Sequence, residues 1–273
     1  MASLKIVNRK KLISSKLNIL LPPMSAQRYF IRISFHGKNY HGWQVQANAH
    51  TVQAELESAL STLAKEKVET VGCGRTDTGV HAREFYAHFE LRQKVEDEEV
   101  FCHHLNGIIP ADIAIQKLIP VASDAHSRFD ATSRTYEYHI YRYKNPFLKE
   151  FACYLPNDLD YKCMNKFARL LKEVEDFSSF SKNNTQVLTN KCCIMHAEWK
   201  VNDDKAVFVI KANRFLRNMV RAIVGTLLRA GEHKLSEDDF LKILGGKDRK
   251  LAGASMPACG LYLVKVEYPY LSA

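Results

Sequence analysis

The sequence is organised around the stretch GCGRTDTGVHA, residues 72–82, which follows a short apolar run. Three glycines let the backbone adopt positive φ and let a second segment approach closely, so the stretch predicts a tight loop leaving a strand. Asp77 lies two residues from Arg75, and a neighbouring cation favours the ionised form of a carboxylate. Asp77 is therefore a candidate nucleophile or substrate-orienting anion. The alternative is an Asx turn, in which Asp77 only bonds its own backbone.

Regular patterns lie on both sides of this loop. Residues 28–35, 68–71, 84–91, 113–119 and 134–143 have strand character. Thr51 is a suitable N-cap for a helix whose apolar residues run from Val52 to Leu63, and a second helix is predicted over residues 96–105. The order β-loop-α-β-loop-β predicts an α/β (α+β) fold with a mixed sheet covered by helices.

The second half of the chain predicts a helix over residues 161–171, a hairpin over 192–212 and a final strand over 260–267. Its most apolar helix is predicted to begin near Phe215 and to stop at Gly231. Arg214, Arg217 and Arg221 are spaced three and four residues apart, which places them on one side of that helix. Arginines on a mostly buried helix are unfavourable unless anions meet them. A solvated basic face is the alternative.

Composition points to a polyanionic partner and away from metals. Lys and Arg number 39 against 30 acidic residues, giving a formal charge of +9, and phosphate neutralisation supplies affinity for nucleic acid. The chain has seven cysteines, without Cys-x-x-Cys spacing, and lacks His-Glu-x-x-His. We therefore expect free thiols in a reducing cytosol and no catalytic metal.

Residues 1–26 differ from the rest, with basic residues followed by a short apolar run and Pro22-Pro23. The run is too short to span a bilayer. A transit peptide and a basic RNA-touching arm are alternatives to the favoured interpretation, an extension preceding a start at Met24. The predicted division is an extension over 1–26, an N-terminal α/β half over 27–125 carrying the Asp77 loop, and a C-terminal α/β half over 126–273.

Residues 74–82 resemble the signature loop of the tRNA pseudouridine synthase A family, and further segments resemble that family in order. These are Gly37-x-x-Tyr40-x-Gly42-Trp43-Gln44-x-Gln46, Leu105-Asn106 with Pro110-x-Asp112-Ile113, His126-x-Arg128-Phe129-x-Ala131, Arg134-x-Tyr136-x-Tyr138, residues 176–180, Met219-Val220-Arg221-x-Ile223-Val224-Gly225 and residues 260–263. Together they cover nearly everything from Arg28 to Tyr268. Position 78 departs from the pattern, with Thr where the family usually has Ala.

The resemblance implies a largely antiparallel mixed sheet in two α/β halves around a central cleft. It also implies a cytoplasmic homodimer without cofactor or metal that isomerises uridine to pseudouridine at positions 38, 39 and 40 of the tRNA anticodon stem-loop. Asp77 matches the catalytic aspartate, and Tyr136 matches the tyrosine that stacks on the target base. Arg75 and Arg221 match basic residues near the aspartate. Arg214 and Arg217 are additional candidates for RNA contacts, and no membrane partner is expected.

Two other functions are compatible with single motifs. Asp77-Thr78-Gly79 is also the aspartic-protease triplet, but that chemistry needs two carboxylates sharing a proton, and no second Asp-Thr-Gly or Asp-Ser-Gly occurs. A tRNA-binding protein of the same fold without catalysis is the second alternative. The presence of Asp77, Arg75 and Tyr136 speaks against it.

Overall fold

The structure is a computed structural model that describes residues 26–182 and 189–271. The strands are β1 (Gln27–Phe35), β2 (Val71–Gly72), β3 (His81–Leu91), β4 (Ile113–Val121), β5 (Ser133–Tyr141), β6 (Cys153–Tyr154), β7 (Ile194–Asn202), β8 (Lys205–Ala212) and β9 (Leu261–Glu267). The helices are α1 (Val52–Ala64), α2 (Glu98–Ile108), α3 (Tyr161–Leu170), α4 (Met219–Gly231) and α5 (Glu237–Gly246). Most of the predicted N-terminal extension, and residues 183–188 of a polar loop predicted over 178–190, lie outside the described residues.

All of these strands join one mixed sheet, as predicted. Its main path runs β4-β1-β3-β9-β5-β8-β7, with β2 beside β3 and β6 beside β5. The pairs are antiparallel except for β3 with β9 and β5 with β6. The last strand in chain order, β9, therefore lies in the middle of the sheet, and it joins the strand after the Asp77 loop to the strand that carries Tyr136.

Side-chain caps begin α1, as predicted, and α5. The Thr51 Oγ1 atom accepts a hydrogen bond from the backbone N–H of Ala54 at the start of α1. Ser236 Oγ accepts from the N–H of Asp239 at the start of α5. Such caps satisfy N–H groups that lack a partner within the helix and contribute about 1 kcal/mol each.

The predicted start of the most apolar helix is wrong. The helix begins at Met219, because Asn218 has a left-handed backbone conformation with φ 67° that breaks the helical path. Arg214 and Arg217 therefore lie in the segment before the helix, and only Arg221 stands on its first turn. The predicted stop at Gly231 is confirmed, because Gly231 is the last helical residue, and the positive φ that follows the helix falls at His233.

Several strand and helix ends differ from their predicted positions. The strand predicted over 68–71 begins only at Val71, whereas β3 begins three residues before the predicted Glu84, at His81. The helix predicted over 96–105 runs from Glu98 to Ile108, because Asp97 caps it. These shifts leave the predicted element order unchanged.

Two hydrophobic clusters pack against the sheet. One contains Trp43, Leu56 and Phe85 from the first part of the chain, together with residues of β9. The other surrounds α4 and includes Phe208 and Phe240. Tyr136, only partly buried, packs against both clusters at their junction. The division of the chain near residue 125 stays a prediction.

Candidate active site

The segment between β2 and β3, residues 73–80, is called the Asp77 loop. Its backbone turns between Asp77 and Val80, where the Val80 N–H donates to the Asp77 carbonyl at 3.1 Å. Gly79 occupies the third position of this turn with φ 78°, a conformation that a side chain would strain. Among residues 26–182 and 189–271, the partners of the Asp77 carboxylate are Arg217 and Arg221, which lie outside its own loop. The Asx-turn alternative therefore does not describe this structure.

Close backbone contacts fix the Asp77 loop against the segment after β1. A Cβ atom on Gly42 would lie 2.2 Å from the Thr76 carbonyl oxygen, and one on Gly37 would lie 2.0 Å from the Val80 carbonyl oxygen. Gly42 also has φ 88°, so both space and backbone conformation require glycine there. Trp43 is almost fully buried and packs on Phe85 with ring centroids 4.2 Å apart, which makes it a packing residue.

Two arginines meet the Asp77 carboxylate, Arg217 from the segment before α4 and Arg221 from the first turn of α4. Arg221 Nη1 lies 3.6 Å from Oδ2, and Arg217 Nε lies 3.7 Å from Oδ1. The Arg221 side chain is 20% exposed, and its Nε donates to the Met256 carbonyl oxygen at 2.5 Å. The Arg217 side chain is 60% exposed. Arg221 is therefore the fixed partner and Arg217 the more open one. The predicted pairing of Arg221 with Asp77 is confirmed.

Arg75 does not have the predicted partner. It is exposed, and in the described part of the chain no ion pair joins it to Asp77. It lies instead near Arg128, which Arg134 and Arg214 also approach. Burial, together with these three cations, lowers the pKa of Arg128. Proximity in sequence placed Arg75 beside Asp77, but the direction of its side chain depends on the folded loop.

Arg134 holds the segments that carry these cations. Its Nη1 donates to the carbonyl oxygens of Ala131 and Asn213, and its Nη2 donates to those of Cys73 and Arg128, at 2.7 to 2.9 Å. A planar guanidinium offers several donors in fixed directions, which suits this role. Arg134 thus ties the Asp77 loop to residues before β5 and after β8.

Tyr136 lies on β5, opposite Ile210 of β8 and Leu263 of β9. Its ring makes an edge-to-face contact with Phe215, with centroids 5.0 Å apart. Burial raises the pKa of Tyr136, and the neighbouring Cys73 and Asp77 add to the rise, so the hydroxyl stays protonated near neutral pH. A tyrosine partly buried between two clusters is held firmly enough to serve as an aromatic platform.

The structure thus brings Arg217 and Arg221 to Asp77 and places Arg75 with Arg214 in a neighbouring basic group. Sequence reasoning missed Arg128 and Arg134 as members of that group. Both stand in segments that resemble the family, but nothing in their spacing indicated that residues so far from Arg75 in the chain would meet it.

One group within the described ranges has the ligand types for a metal ion. Asp160, Cys163 and His233 bring their ligand atoms within 4.8 Å of one another. Asp160 is already engaged, because it caps α3 through the Cys163 N–H and lies 3.6 Å from His233 Nε2. None of the three is an Asp77 partner. The expected absence of a catalytic metal stays a prediction.

The mixed sheet and its flanking helices form the fold of a pseudouridine synthase. A sequence model described as "tRNA pseudouridine synthase" matches residues 31–130 and 168–269. The chain belongs to the tRNA pseudouridine synthase A family. A relative from Parabacteroides distasonis, named tRNA pseudouridine synthase A, is 49% identical over 89% of this chain and 96% of its own length. A relative of the same name from Bacteroides fragilis is 49% identical over 90% of this chain and 98% of its own length. Another, from Bacillus licheniformis, is 39% identical over 86% of this chain and 97% of its own length.

No helix among the described residues has the length and apolar character needed to cross a membrane.

Proposed function

We propose that this chain isomerises uridine to pseudouridine at positions 38, 39 and 40 of the tRNA anticodon stem-loop, with Asp77 as the nucleophile. The observation that carries the proposal is the Asp77 carboxylate, which is partly exposed and lies between Arg217 and Arg221. The family resemblance extends the proposal to a cytoplasmic homodimer that acts without cofactor or metal.

The reaction needs no external reagent. The bond between ribose C1′ and uracil N1 breaks, the base turns, and C1′ joins C5. The C5 proton leaves and N1 gains a proton, so atoms and charge balance. A carboxylate can attack carbon and later leave, which suits covalent catalysis. Attack by Asp77 on ribose C1′ and attack on uracil C6 both fit the site.

The residues around Asp77 orient its carboxylate and bind the target base. Arg221, anchored on the Met256 carbonyl, orients the carboxylate, and Arg217 covers its other oxygen. A target uridine in a stem must leave the base stack, and stacking on Tyr136 would stabilise the flipped base by roughly 1–3 kcal/mol. Stacking uses the face of the Tyr136 ring, whereas removal of the C5 proton, the other role open to this residue, would need its hydroxyl near that carbon.

The test replaces Asp77 with Asn, which keeps the shape and removes the charge. Tritium release from tRNA carrying C5-labelled uridine should fall by at least about 10³-fold, while tRNA affinity changes by less than about threefold. Asp238→Asn, an exposed position on α5, is the control. Full activity of Asp77→Asn would refute the proposed nucleophile.

Two further measurements complete the test. If the wild-type protein bound tRNA but released no tritium, the alternative of an inactive tRNA-binding protein would hold. Mapping pseudouridine in tRNA from cells with and without the protein checks positions 38, 39 and 40. Sedimentation of the wild-type protein checks the homodimer.

A further inference from the structure

Residues 126–130, called the Phe129 turn, connect β4 to β5 in a fixed conformation. The backbone N–H of His126 donates to Asp130 Oδ2 at 2.7 Å, and the N–H of Asp130 donates back to the His126 carbonyl at 3.1 Å. The N–H groups of Arg128 and Phe129 both point at His126 Nδ1. The hydroxyl of Tyr270 donates to Asp130 Oδ2 from the end of the chain's last segment. The turn is thus held from within and from outside.

This rigid turn holds a large apolar ring in solvent. Phe129 is 74% exposed, although its ring rests against His126 with centroids 4.3 Å apart. The guanidinium of Arg128 lies 5.7 Å from the ring centre. Exposure of a phenylalanine on such a well-bonded turn is unfavourable in water, so the arrangement suits a partner that stacks on the ring.

The charges around the turn select the kind of partner. Arg128 lies close to Arg75, Arg134 and Arg214, and none of these four arginines forms an ion pair with an acidic residue of the described chain. Crowded cations of this kind favour a polyanion. The turn also adjoins the Asp77 loop, because Arg134 Nη2 donates to both the Arg128 and the Cys73 carbonyl oxygens.

A second arginine–aromatic pair lies at the other end of β5 and differs from Arg128–Phe129 in its charge. The guanidinium of Arg142 lies 5.7 Å from the centre of the Tyr143 ring, which is 64% exposed. Arg142, however, is already paired with Asp158. The Arg142–Tyr143 pair has the same geometry without the unneutralised charge, so it serves as an internal control.

We propose that Phe129 and Arg128 form a second stacking site, which binds an unpaired base of the RNA beside the target uridine. The base stacks on the Phe129 ring, and the backbone phosphates on either side of its nucleotide face Arg128 and Arg75. This inference rests on the proposed function, because it assigns a contact to the same RNA. It gives the Phe129 turn a role in substrate binding, separate from the base platform at Tyr136.

The experiment compares Phe129→Leu with Tyr143→Leu. Binding of an anticodon stem-loop RNA is measured by fluorescence anisotropy, and the single-turnover rate is measured at saturating RNA. The dissociation constant of Phe129→Leu should rise about tenfold, in line with the loss of one stacked base, and the saturated rate should fall by less than about threefold. Phe129→Tyr should bind as the wild type does, whereas Tyr143→Leu should leave both quantities unchanged.

Salt dependence separates the two members of the site. Arg128→Gln should reduce the slope of log Kd against log salt by about one, because one phosphate contact is lost. Phe129→Leu should weaken binding without changing that slope. Because Phe129 is exposed, its replacement should leave the urea unfolding midpoint unchanged, which checks that any loss of binding is local.

Two results would overturn the inference. One is a dissociation constant for Phe129→Leu equal to that of Tyr143→Leu. The other is a change of oligomeric state in Phe129→Leu with unchanged RNA affinity, which would make the turn a contact between copies of the chain. Absence of tritium release from the wild type would instead refute the proposed activity, and the binding comparison would still decide the role of Phe129.

Discussion

Asp77 and His81 stand four residues apart and experience opposite surroundings. Asp77 is partly exposed and faces two cations. His81 is 1% exposed, and both ring nitrogens are engaged: Gly37 donates to Nδ1 at 3.0 Å, and Nε2 faces the Cys259 carbonyl at 3.2 Å. Burial, with a contribution from His36, lowers the pKa of His81 to about 4, so its ring is neutral at pH 7. Four residues of chain thus separate the partly exposed carboxylate that we propose as the nucleophile from a buried neutral ring that holds the loop in place.

The largest expected effect is on stability at low pH. An unfolded histidine titrates near 6.5, so between pH 6.5 and 4 the unfolded state binds a proton that folded His81 does not. Stability is therefore present above pH 6.5 and falls as pH drops towards 4, by about 3 kcal/mol from His81. Urea unfolding from pH 7 to 4 measures this loss together with that from His88, whose pKa burial also lowers to about 4.

His81→Phe is the matched variant for that measurement. At pH 7 it should be less stable than the wild type by about 2 kcal/mol, because the Gly37 N–H loses its partner. Near pH 4 the difference should vanish or reverse, because the variant has no proton to bind at this position. Parallel pH curves for the two proteins would show that His81 does not titrate as its burial implies.

The next largest effect is expected on the reaction rate and concerns Asp77, the other residue of the comparison. Arg221→Met removes the anchored partner of Asp77, and the single-turnover rate should fall about 100-fold, as for loss of one oriented catalytic contact. The affinity for tRNA should change by less than about threefold. Arg229→Met, in the last turn of the same helix, is the control. Equal losses in rate and affinity would make Arg221 a phosphate contact.

The smallest effect is expected at Arg217. Its side chain is 60% exposed and lies 3.7 Å from Asp77, and exposed ion pairs contribute up to about 1 kcal/mol. The saturated rate of Arg217→Met should therefore fall by about fivefold or less. A rate loss as large as that of Arg221→Met would show that both carboxylate oxygens need a fixed cation.

The sequence predicted the local features that depend on neighbours in the chain. Alternating apolar residues predicted β1, Thr51 predicted the start of α1, and the hairpin of β7 and β8 followed from two β-rich runs around a polar turn. The start of α4 was missed because Phe215 and Leu216 continue the apolar pattern, while the break depends on the left-handed backbone of Asn218.

The site was only partly predictable for a related reason. Asp77 and Arg221 could be proposed as partners through the family resemblance, and the structure places them 3.6 Å apart. The role of Arg134 depends on carbonyl groups from three separate segments, and no spacing pattern encodes such a meeting. The nearest cation in sequence, Arg75, turned out to join the basic group around Arg128.

The central position of β9 has a consequence for biosynthesis. The Asp77 loop leads into β3 and Tyr136 lies on β5, and these two strands are joined through β9, residues 261–267. Chains emerge from the ribosome in order, and earlier segments begin to fold first. The two parts of the proposed site therefore stay separate, each beside a strand edge that β9 later covers, until residue 267 has been made. A nascent or truncated chain lacking β9 keeps its Asp77 but has no assembled site with which to modify RNA.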